Sequence, residues 1–188
     1  MDPTFKGLST PVPTKTRPAG PNIKLAVIIA LVFIGLVTIV GVIFSNNSSG
    51  NRTLSQQLVY RLEALDTLTA NAQATIKDEN LAKTNAEVSL IVSGDVATIK
   101  QLVGTVKVDK KLAALKTAEA DAQTTTTLKD AQLNGTYDTT YRTVLGQKLQ
   151  NAYALAKEVQ DASSSKKLDA ALQSLQNNLS TYYQQLNL

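Results

Sequence analysis

Leu25 to Phe44 reads LAVIIALVFIGLVTIVGVIF, twenty residues without a charge or a proline, and no other feature narrows so far what the chain can fold into. A helix of that length rises about 30 Å, at about 1.5 Å per residue, which matches the hydrocarbon layer of a bilayer. Thr38 is its only hydroxyl, and Gly35 and Gly41 are its only glycines. No polar stripe recurs that would suit it to the surface of a soluble core. In hydrocarbon a backbone must satisfy its own hydrogen bonds, and a helix does so. The run therefore predicts a transmembrane helix over residues 23–45. A cleaved secretory signal has a shorter apolar core and ends in a small-x-small site. Ile43-Phe44-Ser45-Asn46 is a poor site of that kind, so an uncleaved signal anchor is expected.

The flanking charges orient that helix. Lys6, Lys15, Arg17 and Lys24 face one acid, Asp2, a net charge of +3 before the run, whereas Ser45 to Asn51 carries none. Positive flanks remain in the cytoplasm, which places the amino terminus inside and residues 45–188 on the extracytoplasmic side of the cell membrane. Basic residues beside a span also favour anionic head groups, so membrane lipid is the first expected partner. Ala26 and Ala30, four residues apart, would let two spans approach closely, and a homo-oligomer stays open on that ground.

The four domains expected are a basic, proline-rich cytoplasmic leader over 1–22, the anchor over 23–45, a polar linker over 46–52 and a helical bundle over 53–188. All five prolines, Pro3, Pro11, Pro13, Pro18 and Pro21, fall in the leader, where they favour an extended, unfolded chain. The remainder past residue 44 holds 15 basic and 14 acidic residues. A net of +1 with interspersed signs argues against nucleic acid as a partner.

Cysteine and histidine are both absent. Their absence removes disulfides, thiolate and imidazole chemistry, and the commonest metal ligands. No cofactor or metal is expected. The five glutamates, Glu63, Glu79, Glu87, Glu119 and Glu158, are scattered. The close acidic pairs Asp78 with Glu79 and Glu119 with Asp121 are one or two residues apart, and such pairs do not share a helix face. Ser164-Ser165-Lys166-Lys167 is better read as a helix start than as a Ser–Lys dyad. No catalytic constellation emerges, and the chain is not expected to be an enzyme.

Past Arg52 the apolar residues recur at helical spacing. Leu168, Leu172, Leu175, Leu179, Tyr182 and Leu186 step by 4, 3, 4, 3 and 4, which predicts an amphipathic helix capped by the preceding serines 163–165. Tyr141, Leu145, Leu149, Ala152, Ala156 and Val159 form the helix before it, after the turn signal Asn134-Gly135. A short polar joint makes the two an antiparallel hairpin. Upstream, Leu54, Leu58, Leu62, Leu65, Ala72 and Ile76 mark a first helix capped at Thr53. Leu81, Val88 and Ile91, then Val96, Ile99, Val103 and Val106, mark further helical stretches, with a kink or break at Ser93-Gly94-Asp95. Leu112 and Leu115 start another helix that should weaken at the β-branched run Thr124–Thr127. The fold class expected is all-α: the single transmembrane helix, then an antiparallel bundle of about five helices.

Tyr137, Tyr141, Tyr153, Tyr182 and Tyr183 cluster in the last two helices. They are the candidate partner surface, since tyrosine offers apolar area with a polar tip. Asn46, Asn47, Asn51, Asn134 and Asn178 open Asn-x-Ser/Thr sequons, which matter only in a host that glycosylates exported proteins. The element Tyr137-Asp138-Thr139-Thr140-Tyr141, followed by a long helix, a short polar joint and a closing amphipathic helix, resembles the last two helices of an exported, ferritin-like bacterial bundle family of unknown function. That family opens its penultimate helix with aromatic-Asp-x-x-Tyr. Its helical histidines have no counterpart here, so no metal role is implied, and the likeness covers about 55 residues.

The functional expectation is a membrane-anchored extracytoplasmic bundle that acts as a structural or interaction module of the bacterial cell envelope, with a protein or envelope polymer as partner. A ligand-binding or sensory bundle that reports across the membrane is the alternative. An envelope enzyme ranks below both.

Overall fold

The computed structural model describes residues 48–104 and 108–186. The leader and the anchor helix expected before residue 46, and Val106 of the expected seam, lie outside the described residues. Six helices account for most of the rest: α1 (Ser48–Ala72), α2 (Glu79–Val103), α3 (Lys110–Ala120), α4 (Ala122–Leu133), α5 (Tyr137–Ala162) and α6 (Lys166–Gln185). No strand occurs among the described residues, and no described helix is long and apolar enough to cross a membrane.

Most boundaries have local causes. Asp78 accepts a hydrogen bond from the Leu81 amide at 2.8 Å and opens α2. Asp109 does the same for α3 through the Leu112 amide at 2.9 Å. Side-chain oxygens at this position satisfy amides that have no partner inside the helix. Ser165 caps α6 through the Leu168 amide at 3.4 Å, as the serine run predicted. Between α4 and α5 the turn at Asn134-Gly135 uses Gly135 at φ +69°, and the Thr136 amide closes back on the Ala131 carbonyl at 2.9 Å. A residue with no Cβ adopts that conformation without steric cost.

Three boundaries differ from expectation. α1 begins at Ser48, so residues 48–52 are helical and Thr53 lies inside the helix. Asn51 belongs to the bundle, since its Nδ2 donates to the Ala162 carbonyl at the end of α5 at 2.7 Å. α2 runs unbroken through Ser93-Gly94-Asp95, because its seam continues across them and Asp95 accepts a hydrogen bond from Asn178 of α6 at 3.2 Å. The break comes instead at Gly104, φ +76°. Thr124–Thr127 stay helical in α4, and the interruption falls three residues earlier at Asp121. There the carboxylate caps the Thr124 amide at 3.1 Å, which offsets the low propensity of the threonines.

Hydrogen bonds between helix ends fix the directions. Gln56 near the start of α1 donates to the Gly104 carbonyl beyond the end of α2. Asn51 meets the end of α5, and Asp138 at the start of α5 meets the loop that follows α1. α6 returns along α5, with Gln176 Nε2 donating to Gln160 Oε1 at 2.8 Å, and along α2 through Asn178 and Asp95. The neighbouring pairs α1–α2, α2–α6, α6–α5 and α5–α1 are all antiparallel. α2 and α5 point the same way, so the chain must cross the length of the bundle between them. α3 and α4 make that crossing, α3 against α1 and α4 against α5. One long crossover distinguishes this arrangement from a simple up-down-up-down bundle.

The seams read from sequence build the core. Leu58, Leu62 and Leu65 of α1, Val88 and Ile99 of α2, Tyr141, Leu145 and Leu149 of α5, and Leu172, Leu175 and Leu179 of α6 are all fully or almost fully buried. Ala152 and Ala156 are buried with them, and small side chains there let α5 approach its neighbours closely.

Candidate functional site

One end of the bundle gathers the loop after α1, the start of α2, the start of α5 and the end of α6. The carboxylate of Asp138, in the first turn of α5, accepts from the Lys77 amide at 3.2 Å and the Asp78 amide at 2.8 Å. It thereby pins the loop between α1 and α2 onto α5. Asp78 caps α2 with Oδ1 and presents Oδ2 to Arg142 Nη2 at 3.6 Å. Beside this pair lies a cleft of about 180 Å³ lined by Asp78, Asn80, Leu81, Thr84, Arg142, Gln185 and Leu186. Its walls carry a carboxylate and a guanidinium that face each other, two amides and a hydroxyl, a set that can donate to and accept from a small polar ligand.

Behind the cleft is a polar network inside the core. Tyr141, 0% exposed, donates its phenol hydrogen to Asn85 Oδ1. Asn85 Nδ2 donates to the Thr69 carbonyl at 3.0 Å and to Gln73 Oε1 at 2.8 Å. The amide uses both of its donors and an acceptor, as a buried amide must. Tyr137 stacks on Tyr141 with ring centroids 5.8 Å apart and planes at 4°. Burial pushes the Tyr141 phenol far above its ordinary range, with Tyr137 adding a smaller push. Burial raises Tyr137 as well, and the neighbouring Asp138 charge adds to the rise.

The five tyrosines do not form one surface. Tyr137, Tyr141, Tyr182 and Tyr183 meet at this end, where burial and the nearby Glu87 raise the Tyr182 phenol. Tyr141 is wholly interior and presents nothing to a partner, because its hydroxyl finds an acceptor in Asn85. Tyr137, Tyr182 and Tyr183 are half-buried against the core. Tyr153 stands apart and exposed, about 18 Å beyond Tyr141 along α5 at about 1.5 Å per residue.

A second polar cluster joins the crossover to the bundle. Glu119 of α3 accepts from Arg61 Nε at 2.9 Å and Arg61 Nη2 at 2.7 Å, and from Gln57 Nε2 at 2.9 Å. Arg61 Nη1 donates to the Asn151 carbonyl of α5 at 3.0 Å, so one side chain ties three helices. Two residues on, Asp121 accepts from Lys148 of α5 and from Thr124. Burial alone would raise the Asp121 carboxyl, but the hydrogen bonds and charge of Lys148, with Thr124, outweigh it and hold the group below its ordinary value. The carboxylates of Glu119 and Asp121 thus turn to different helices, as their two-residue spacing required. Among the described residues no group of three or more Asp, Glu, His or Cys could hold a metal ion.

Sequence reasoning passed over Asn85, although a signal existed: it continues the seam Leu81, Asn85, Val88, Val92 at steps of 4, 3 and 4. A polar residue at a core position implies a buried partner. Arg61 and Gln57 gave no such signal, since their partner lies 58 and 62 residues away. No protein-family model, curated protein or solved structure matches this chain.

Proposed function

We propose that this protein is a membrane-anchored component of the bacterial cell envelope whose helical bundle stands on the extracytoplasmic side as a structural or protein-interaction module. The reading is carried by the bilayer-length apolar run at residues 25–44, preceded by a net charge of +3. The bundle that follows engages Asp78, Asn85, Asp109, Glu119, Asp121 and Tyr141 in caps, ion pairs and buried hydrogen bonds, an arrangement suited to a preformed docking body. The likeness of Tyr137–Tyr141 and the last two helices to the exported ferritin-like bundle family agrees with it. The long crossover is also a feature of ferritin-like bundles.

Protease digestion of cells made permeable only at the outer face tests the topology. Residues 48–188 should be degraded while a tag at the amino terminus survives, and survival of the bundle would reverse the orientation. Crosslinking in cells followed by co-purification should then capture an envelope protein or polymer on the bundle, and an ectodomain that captures neither would count against the interaction role.

The cleft between Asp78 and Arg142 favours a second reading, a bundle that binds a small polar ligand and reports it across the membrane. Under that reading Arg142→Ala abolishes ligand-dependent protection of the α2 amides near Asn80 and Thr84 from hydrogen exchange. A cleft that shows no such protection with any small polar ligand tried would leave the first reading alone.

A further inference from the structure

We propose that α3 and α4 form a strap that lifts from the four-helix core as a unit, latched by the carboxylate of Glu119 in the grip of Arg61 and Gln57. The strap is thinly packed. α3 buries only Leu112, Leu115 and Glu119, and α4 only Leu128 and Ala131. Of these, Leu128 alone joins the main apolar cluster. α5, by contrast, contributes Tyr141, Val144, Leu145, Leu149, Leu155 and Val159 to it. Elements with little buried apolar area are the ones that open below the global unfolding free energy.

The backbone places its joints where such a strap needs them. The three residues with positive φ among the described residues are Gly104, Asp121 and Gly135. They stand before α3, between α3 and α4, and after α4. A Cβ at either glycine would meet nothing within 4 Å, so these joints are not wedged by neighbouring side chains.

The polar ties are therefore a large share of what holds the strap down. Glu119 is 9% exposed and Arg61 17%, so their pair is shielded from solvent, and removing one partner of a shielded pair leaves an uncompensated charge. Arg61 and Gln57 together make three donors aimed at one carboxylate. Lys148 on Asp121 and Lys116 over the Tyr60 ring, 5.8 Å from its centroid, add to these ties.

Hydrogen exchange read by mass spectrometry on the full chain in mild detergent tests the proposal. Amides of residues 110–133 are expected to exchange at least tenfold faster than those of the buried seams of α1, α2, α5 and α6. Glu119→Gln should speed residues 110–133 together by a further tenfold or more and leave α2 and α6 unchanged. Leu115→Ala should do the same without touching a charge. Exchange of all six helices in one cooperative event at every denaturant concentration would overturn the proposal. So would a Glu119→Gln chain that fails to fold, because the pair would then belong to the core rather than to a latch.

Discussion

At the scale of single residues, the bundle depends on polar groups that only one partner can satisfy. Tyr141 and Asn85 are both 0% exposed, and the phenol supplies the hydrogen that Asn85 Oδ1 accepts. Tyr141→Phe keeps the ring in place and orphans that acceptor, so a loss of about 1–3 kcal/mol is expected in urea unfolding. Tyr137→Phe should lose less, because its ring is only half-buried. Asp95 offers the opposite case. Burial raises its carboxyl above the ordinary value of 3.8, although the Asn178 hydrogen bond works against the rise. A folded-state value above the unfolded one favours the native state below about 3.8, and that advantage is lost as pH rises through the folded value. At neutral pH the charge is therefore a burden. Asp95→Asn retains a carbonyl for Asn178 and should leave stability at pH 7 unchanged or higher, with a smaller loss of stability between pH 4 and 7 than the parent chain shows.

Among the elements, the seams of α1, α5 and α6 were legible because each recurs at 3 and 4 residues, and a helix turns every seam position to one side. Leu168, Leu172, Leu175 and Leu179 are buried as that spacing requires. The breaks were harder to see. Glycine at residue 94 and four threonines at 124–127 are poor helix formers, yet α2 and α4 run through them. Propensity differences of under about 1 kcal/mol per residue yield to packing and capping. The true interruption at Asp121 depends on a left-handed backbone, φ 46°, and on Lys148 from α5, which local sequence does not reveal. Asp121→Asn separates these contributions, since asparagine tolerates the left-handed region and keeps an oxygen for the Thr124 cap. Asp121 lies below its ordinary value in the folded chain, so its contribution is full above about 3.8 and lost as pH falls through the folded value. The substitution should lower the thermal midpoint at pH 7 and leave it unchanged near pH 2, where the parent carboxyl is protonated as well.

For the whole molecule, the described residues share a continuous core spanning α1, α2, α5 and α6. A fragment of residues 48–188 is expected to fold without the apolar run, with a helical circular dichroism spectrum and one cooperative urea transition in water. A fragment that is aggregated or uncooperative would show that the bundle needs its amino-terminal segment to fold. The helices past Arg52, the positions of their core seams and the lack of any imidazole or thiol in the bundle are legible in the chain alone, because periodicity and composition are local properties. Packing in three dimensions sets α2 and α5 parallel with a crossover between them. It alone placed Asn85, Arg61 and Glu119 with their partners and drew four tyrosines to one end while burying Tyr141. Each of those results rests on contacts between residues far apart in the chain, and such contacts leave no periodic trace in a single sequence.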